Sequence, residues 1–324
     1  MSFSRTISIG AGAMLLATAC HHAQPADEHM AHMSASDMSG QTSGVAGQGA
    51  VGLPASNNAA AARLSASPRH SEWVKVPWEP GSRDSLMAFI VYPTTSNAKT
   101  PVVVVIHEIY GLSTWVRGVA DQTAAEGFIA IAPDLNSRVR GGPSTTELAR
   151  DSAQKLANQV SMADRNKAVN AVAKYAMSQP SAAQRYAVIG FCYGGSTVWG
   201  HAINGGINGF SGGVAFYGAP PALQGTAAPN PDSLAKVSKP VMMLSGAKDA
   251  RIGAMMPAID STMKAMKKWY YGNNYPGAVH GFMRAQDDPK APARDEAEEK
   301  ANLDAAKDAW PRTVRFLKTN LGVK

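Results

Sequence analysis

A cysteine stands in the middle of Gly190-Phe191-Cys192-Tyr193-Gly194-Gly195, with glycine two residues to either side. The segment follows an apolar run, Tyr186-Ala187-Val188-Ile189, and precedes a helix-like stretch from Ser196 to Ala202. This is the pattern of a nucleophile held on a sharp strand-to-helix turn, with cysteine where most such enzymes carry serine. Small residues are needed because side chains two positions either side of the nucleophile would collide across the corner. The corner also sets Cys192 beside the positive end of the following helix, which favours a thiolate over a thiol. Taken alone, the pattern fits a buried cysteine in a glycine-rich turn equally well.

A thiol nucleophile needs a base, and the base needs a carboxylate to orient it. On this kind of turn the chain order is nucleophile, acid, histidine. Only His201 and His280 lie downstream of Cys192. His201 falls several residues along the helix that starts at the turn, so packing or surface is its expected role. His280 lies in Gly277-Ala278-Val279-His280-Gly281-Phe282, a loop after a predicted strand at 268–271, where the base belongs. Asp249 directly follows the apolar run Pro240 to Ser245 and is the favoured orienting acid. Asp232, in a Pro-rich loop, and Asp260, in a helix-like stretch, are the alternatives, and Asp249 also suits a turn aspartate bonding its own backbone. An oxyanion needs two N–H donors: one from Tyr193, after the nucleophile, and one from the loop after an early central strand. Pro101 to Ile106 is the most strand-like run, and it leads into His107-Glu108-Ile109-Tyr110-Gly111. His107 reads as a strand-end histidine bonding locally, with a second base as the alternative.

Together the H-E-I-Y-G loop at 107–111, Ala132-Pro133-Asp134-Leu135, the G-F-C-Y-G-G turn, Asp249 and His280-Gly281-Phe282 resemble the dienelactone hydrolase family of α/β-hydrolases. The resemblance covers roughly residues 71–324 and implies a triad of Cys192, Asp249 and His280. It implies that Glu108 contacts the resting thiol and helps remove its proton once substrate arrives, and that the N–H groups of Ile109 and Tyr193 form the oxyanion hole. Family members that hydrolyse dienelactone hold a substrate carboxylate with arginines that correspond to Arg138 and Arg284, and the planar guanidinium fork suits that task. Both also suit surface arginines in a basic chain. Tyr110 is expected to face the substrate. His107 replaces a glutamine and Tyr110 a phenylalanine of the best-known members, which leaves the reaction class intact and the particular substrate open.

These residues need a frame. Strands are predicted at 86–92, 101–106, 128–132, 186–190, 213–217, 240–245 and 268–271, with an antiparallel edge strand at Trp73 to Trp78. Helices are predicted at 114–126, 146–157, 162–178, 194–203, 253–267 and 294–319. The alternation predicts an α/β fold with a mainly parallel central sheet and helices on both faces. About 250 of the 324 residues remain after an N-terminal extension, enough for one well-buried domain. The net charge of +7 fits a basic surface that draws in anionic substrates. No basic cluster is interleaved with aromatic residues, which argues against nucleic-acid binding. The glycines at 205–209 match no phosphate-binding spacing. Neither a metal nor an organic cofactor is required by this chemistry, and two cysteines, Cys20 and Cys192, exclude a disulfide framework.

Residues 1–19 read as an export signal: Arg5, a short apolar core from Ile7 to Leu16, and an Ala17-Thr18-Ala19 cleavage site. Leu16 to Cys20 resembles a lipoprotein signal, with lipidation of Cys20 expected ahead of simple cleavage. The resulting location is the periplasm or a bacterial membrane, attached through Cys20. A thioether lipid there would also keep Cys20 from a disulfide with Cys192 in an oxidising compartment. Residues 20–70 are expected to form a disordered tether, and 71–324 the catalytic domain. The tether holds His21, His22, His29, Met30, His32, Met33 and Met38, which together suit copper binding or a low-complexity spacer. The resulting expectation is an exported cysteine hydrolase of small esters or enol-lactones, with Arg138 and Arg284 selecting a carboxylate-bearing substrate. The alternatives are a copper-binding lipoprotein on a non-catalytic scaffold and a thiol peroxidase, the latter disfavoured by the lack of a second domain cysteine.

Overall fold

The computed structural model describes residues 52–95, 99–145, 148–285 and 295–323. Eight strands form one sheet: β1 (Ser71–Pro77), β2 (Ser85–Val91), β3 (Thr100–Ile106), β4 (Ile129–Pro133), β5 (Ala182–Phe191), β6 (Phe210–Phe216), β7 (Val241–Gly246) and β8 (Tyr270–Tyr275). Their order is β1-β2-β4-β3-β5-β6-β7-β8. The β1–β2 and β2–β4 pairs are antiparallel and all others parallel. Strand β3 is buried along its whole length, so both faces of the sheet are covered at its centre. That is why its sequence is an unbroken Val/Ile run rather than an alternating one.

Helices connect the strands: α1 (Ala60–Ser65), α2 (Thr114–Ala125), α3 (Ser137–Arg140), α4 (Arg150–Ala157), α5 (Met162–Met177), α6 (Tyr193–Asn204), α7 (Pro231–Ala235), α8 (Ile252–Ala265), α9 (Phe282–Ala285) and α10 (Glu296–Leu321). Ser113, Ser161 and Asp295 cap α2, α5 and α10 by accepting a bond from a first-turn backbone N–H. Parallel β3, β5 and β7 run the same way, so the loops that follow them gather at one end of the sheet. Those loops carry Glu108, Cys192 and Asp249. Open parallel sheets place ligands at that end.

Two expectations need correction. The last strand lies at 270–275 rather than 268–271, because it is a half-buried edge strand of mixed character, Tyr-Tyr-Gly-Asn-Asn-Tyr, with no apolar run to mark it. Residues 53–66, expected within the disordered tether, are folded onto the domain. Leu53, Ala55, Ser56, Ala59 and Ala60 are buried, and α1 packs on α2 with the Ala60 side chain against Gly118. Arg63 donates to the Leu53 carbonyl at 2.9 Å and to Gln122 Oε1 at 3.1 Å, and Trp115 Nε1 donates to the Ala55 carbonyl at 3.0 Å. Small alanines hide this strap from any hydrophobicity reading, yet they fit a helix face closely. The export signal, Cys20 and the histidine- and methionine-bearing stretch at 21–38 lie outside the described residues.

Candidate active site

Cys192 sits between β5 and α6 with φ 54° and ψ −110°, a left-handed conformation that costs a non-glycine residue strain. Its N–H donates to the Phe216 carbonyl at 3.0 Å, and its carbonyl accepts from Ser196 N–H at 3.0 Å, so the corner is pinned on both sides. A side chain at Gly190 would place Cβ 2.2 Å from the Gly194 carbonyl oxygen, the collision across the turn that the spacing implied. A Cβ at Gly218, on the neighbouring loop after β6, would stand 2.6 Å from the Cys192 carbonyl oxygen.

His280 enters from the loop after β8. Its Nδ1 donates to Asp249 Oδ2 at 2.6 Å, and both side chains are buried. Asp249 Oδ1 accepts from the Arg251 and Ile252 N–H groups at 3.2 and 3.0 Å. The aspartate is therefore fixed by the start of α8 and presents its remaining oxygen to the imidazole. Burial disfavours the Asp249 carboxylate, but the His280 bond and the backbone donors outweigh it and hold its pKa below the ordinary value. Burial likewise disfavours the His280 imidazolium. The attraction of Cys192 and the bonds to Asp249 and Cys192 win and push its pKa up to about 10. Nε2 of His280 is buried, and Cys192 acts on the ring whose Nδ1 is held by Asp249.

Glu108 is buried, with Oε2 accepting from Arg284 Nη1 at 2.6 Å and Oε1 without a hydrogen-bond partner. Arg284 is buried as well, its guanidinium 5.3 Å from the Tyr110 ring centroid and 5.5 Å from that of Trp115. Nη2 of Arg284 donates to Asn57 Oδ1 at 2.7 Å. Tyr110 thus forms a face for the arginine. Ile109 and Tyr193, the expected oxyanion donors, are buried, and the Ile109 carbonyl is tied down by Asn136 Nδ2 at 3.2 Å.

Arg138 is not brought to this cluster. It pairs with Asp84, Nη2 to Oδ2 at 2.5 Å, and lies over the Trp78 ring at 3.8 Å. The cavity it lines with Trp78, Leu86 and Gln159 holds none of Cys192, Asp249 or His280. His107 acts as a brace. Its Nε2 accepts from Leu135 N–H at 2.9 Å, so Nδ1 carries the proton and donates to the Glu108 carbonyl at 2.5 Å. Burial pushes its pKa down, which keeps it neutral. His201 is an interior packing residue bonded to Tyr186 Oη at 2.9 Å, with burial lowering its pKa to about 4.

Two residues at the site escaped sequence reasoning. Tyr217 follows β6 at φ 37°, its ring 5.0 Å from that of His280 and its buried hydroxyl without a partner. Burial first, then the charges of Glu108 and Cys192, push its phenol well up. The signal was a tyrosine before a glycine at a strand end. Asn57 had no signal, because it lies in an Ala/Ser-rich stretch with no motif.

The model of the dienelactone hydrolase family matches residues 86–321. A Synechocystis protein named "Putative carboxymethylenebutenolidase" is 30% identical over 229 residues, covering 68% of this chain and 87% of that protein. A Salmonella typhimurium protein of the same name is 27% identical over 249 residues, covering 73% and 84%. Among solved structures, the "Putative Dienelactone Hydrolase" of Klebsiella pneumoniae is 25% identical and superimposes with a TM-score of 0.62, covering 76% of this chain and 98% of that one.

Proposed function

The chain belongs to the dienelactone hydrolase family of α/β-hydrolases, and we propose that it cleaves an ester or enol-lactone bond through a Cys192–His280–Asp249 triad. The observation that carries this reading is the 2.6 Å Asp249–His280 bond, which turns the Nε2 edge of the imidazole to the buried interior, where the attraction of Cys192 raises the His280 pKa. Asp249 fixes the tautomer and offsets the charge that His280 gains.

Cys192 Sγ attacks the carbonyl carbon as the thiolate, its proton already lost and His280 standing beside it as the imidazolium. Glu108 assists the proton's departure through Oε1, the oxygen Arg284 does not hold. The tetrahedral oxyanion is received by the N–H groups of Ile109 and Tyr193. The intermediate collapses to a thioester, breaking the bond to the leaving oxygen, which takes the proton from His280. Water then attacks the thioester with His280 as base, releasing the acid and restoring the thiolate beside the imidazolium. None of these steps calls for a cofactor.

A panel of esters and lactones assayed on the full chain tests this. Turnover lost in Cys192→Ala supports the triad, and unchanged turnover removes Cys192 from the chemistry. We also propose export with lipidation of Cys20. Mass spectrometry of the mature protein checks it, and an unmodified N-terminal cysteine would end it.

A further inference from the structure

The strap at 53–66 touches Arg284 through Asn57. Asn57 Oδ1 accepts from Arg284 Nη2 at 2.7 Å, and the Asn57 backbone N–H donates to the Arg284 carbonyl at 2.6 Å. On its other side the guanidinium holds Glu108 at 2.6 Å, and the rings of Tyr110 and Trp115 flank it. Arg284 lies only 1% exposed. A substrate carboxylate reaching Nη2 would have to displace an amide whose strap is held by Trp115 at the Ala55 carbonyl and by Arg63 on Gln122, and packed by buried alanines. The other arginine, Arg138, is engaged with Asp84 and Trp78.

We propose that Asn57 is a specificity-determining residue, its amide oxygen filling the seat at Arg284 that a substrate carboxylate would otherwise take. The substrate class is therefore uncharged esters and lactones. This rests on Cys192 being the nucleophile of the same site. A neutral amide oxygen satisfies the guanidinium without adding charge, whereas an incoming carboxylate would bring a second anion close to Glu108 in a buried space, where like charges are costly. The basic surface still draws anions towards the protein but does not seat them at Arg284.

Two readouts on the full chain test it. The first is alkylation of Cys192 by neutral iodoacetamide and anionic iodoacetate, each normalised to a free thiol and read on the Cys192 peptide. The second is kcat/KM for two esters that differ only in a remote methyl ester or free carboxylate. Wild type is expected to favour the neutral member of each pair. Asn57→Ala keeps the backbone bond and is expected to shift both ratios towards the anion by roughly tenfold, the scale of one charge-assisted hydrogen bond. Asn57→Asp, which keeps the contact and adds charge, should shift them the other way, so the test survives poor folding of the alanine variant. Wild-type preference for the anionic ester, or unchanged ratios in a variant that melts like wild type, overturns the proposal. Alkylation ratios that shift while no ester is turned over uphold Asn57 and sink the hydrolase reading. A Cys192 that neither reagent modifies, with no ester turned over, overturns both.

Discussion

Asp249 and His280 are 31 residues apart in sequence and 2.6 Å apart in space, joined by an Nδ1–Oδ2 bond in which neither partner is open to water. Because the carboxylate's other oxygen is held by two backbone N–H groups, the bond orients the imidazole rather than the reverse. Asp249→Asn keeps the shape but loses the charge and invites the wrong tautomer. Its kcat is expected to fall by about 10³–10⁴-fold with little change in KM, measured on the best ester found.

Replacing the sulfur should cost more than replacing its orienting acid. Cys192→Ala is expected to reduce kcat by about 10⁴-fold or more, and the double variant with His280→Ala should be hardly worse than either single one. Additive losses would show that the two groups do not act together.

The raised pKa of His280 has a sign that unfolding can check. Charged in the fold up to about pH 10 but ordinarily neutral above about 6.5, the ring adds stability that is fully present below 6.5. That stability is lost as pH climbs from 6.5 through 10. Urea midpoints should therefore fall between pH 7 and 9.5, and Cys192→Ala, which removes the leading attractive partner, should flatten the slope.

Much of this frame was legible from sequence. Val102 to Ile106 and Val241 to Leu244 announced themselves because both faces of those strands are buried. The Cys192, Asp249 and His280 placements followed from glycine spacing and chain order. Strand β8 was misplaced because a half-buried edge strand carries no apolar run. The pairing of Arg284 with Glu108 was invisible because a side chain's partner 176 residues away leaves no periodic trace. Asn57 was hidden for a different reason: its work is done by one amide oxygen, in a strap that packs through alanine.

Breaking the Glu108–Arg284 pair leaves a buried guanidinium with its charge uncompensated. Glu108→Ala is expected to destabilise the fold by about 3–5 kcal/mol, and Glu108→Gln by less, in chemical denaturation.

Backbone contact at the corner leaves no room for a methyl group. Gly190→Ala would drive Cβ into the Gly194 carbonyl, and Gly218→Ala would meet the Ser196 nitrogen at 2.4 Å. Each should cost about 1–3 kcal/mol or more and depress turnover beyond what the stability loss explains, read by comparing melting curves with kcat.

The family match begins at residue 86, yet the strap that carries Asn57 lies upstream of it. Cutting the polypeptide at residue 86, or even at residue 71, would strip the wall behind Arg284 and open a buried guanidinium to water. On the role proposed for Asn57, such a shortened protein takes anionic esters more readily than the full chain does, and assays run on it alone give the wrong substrate preference.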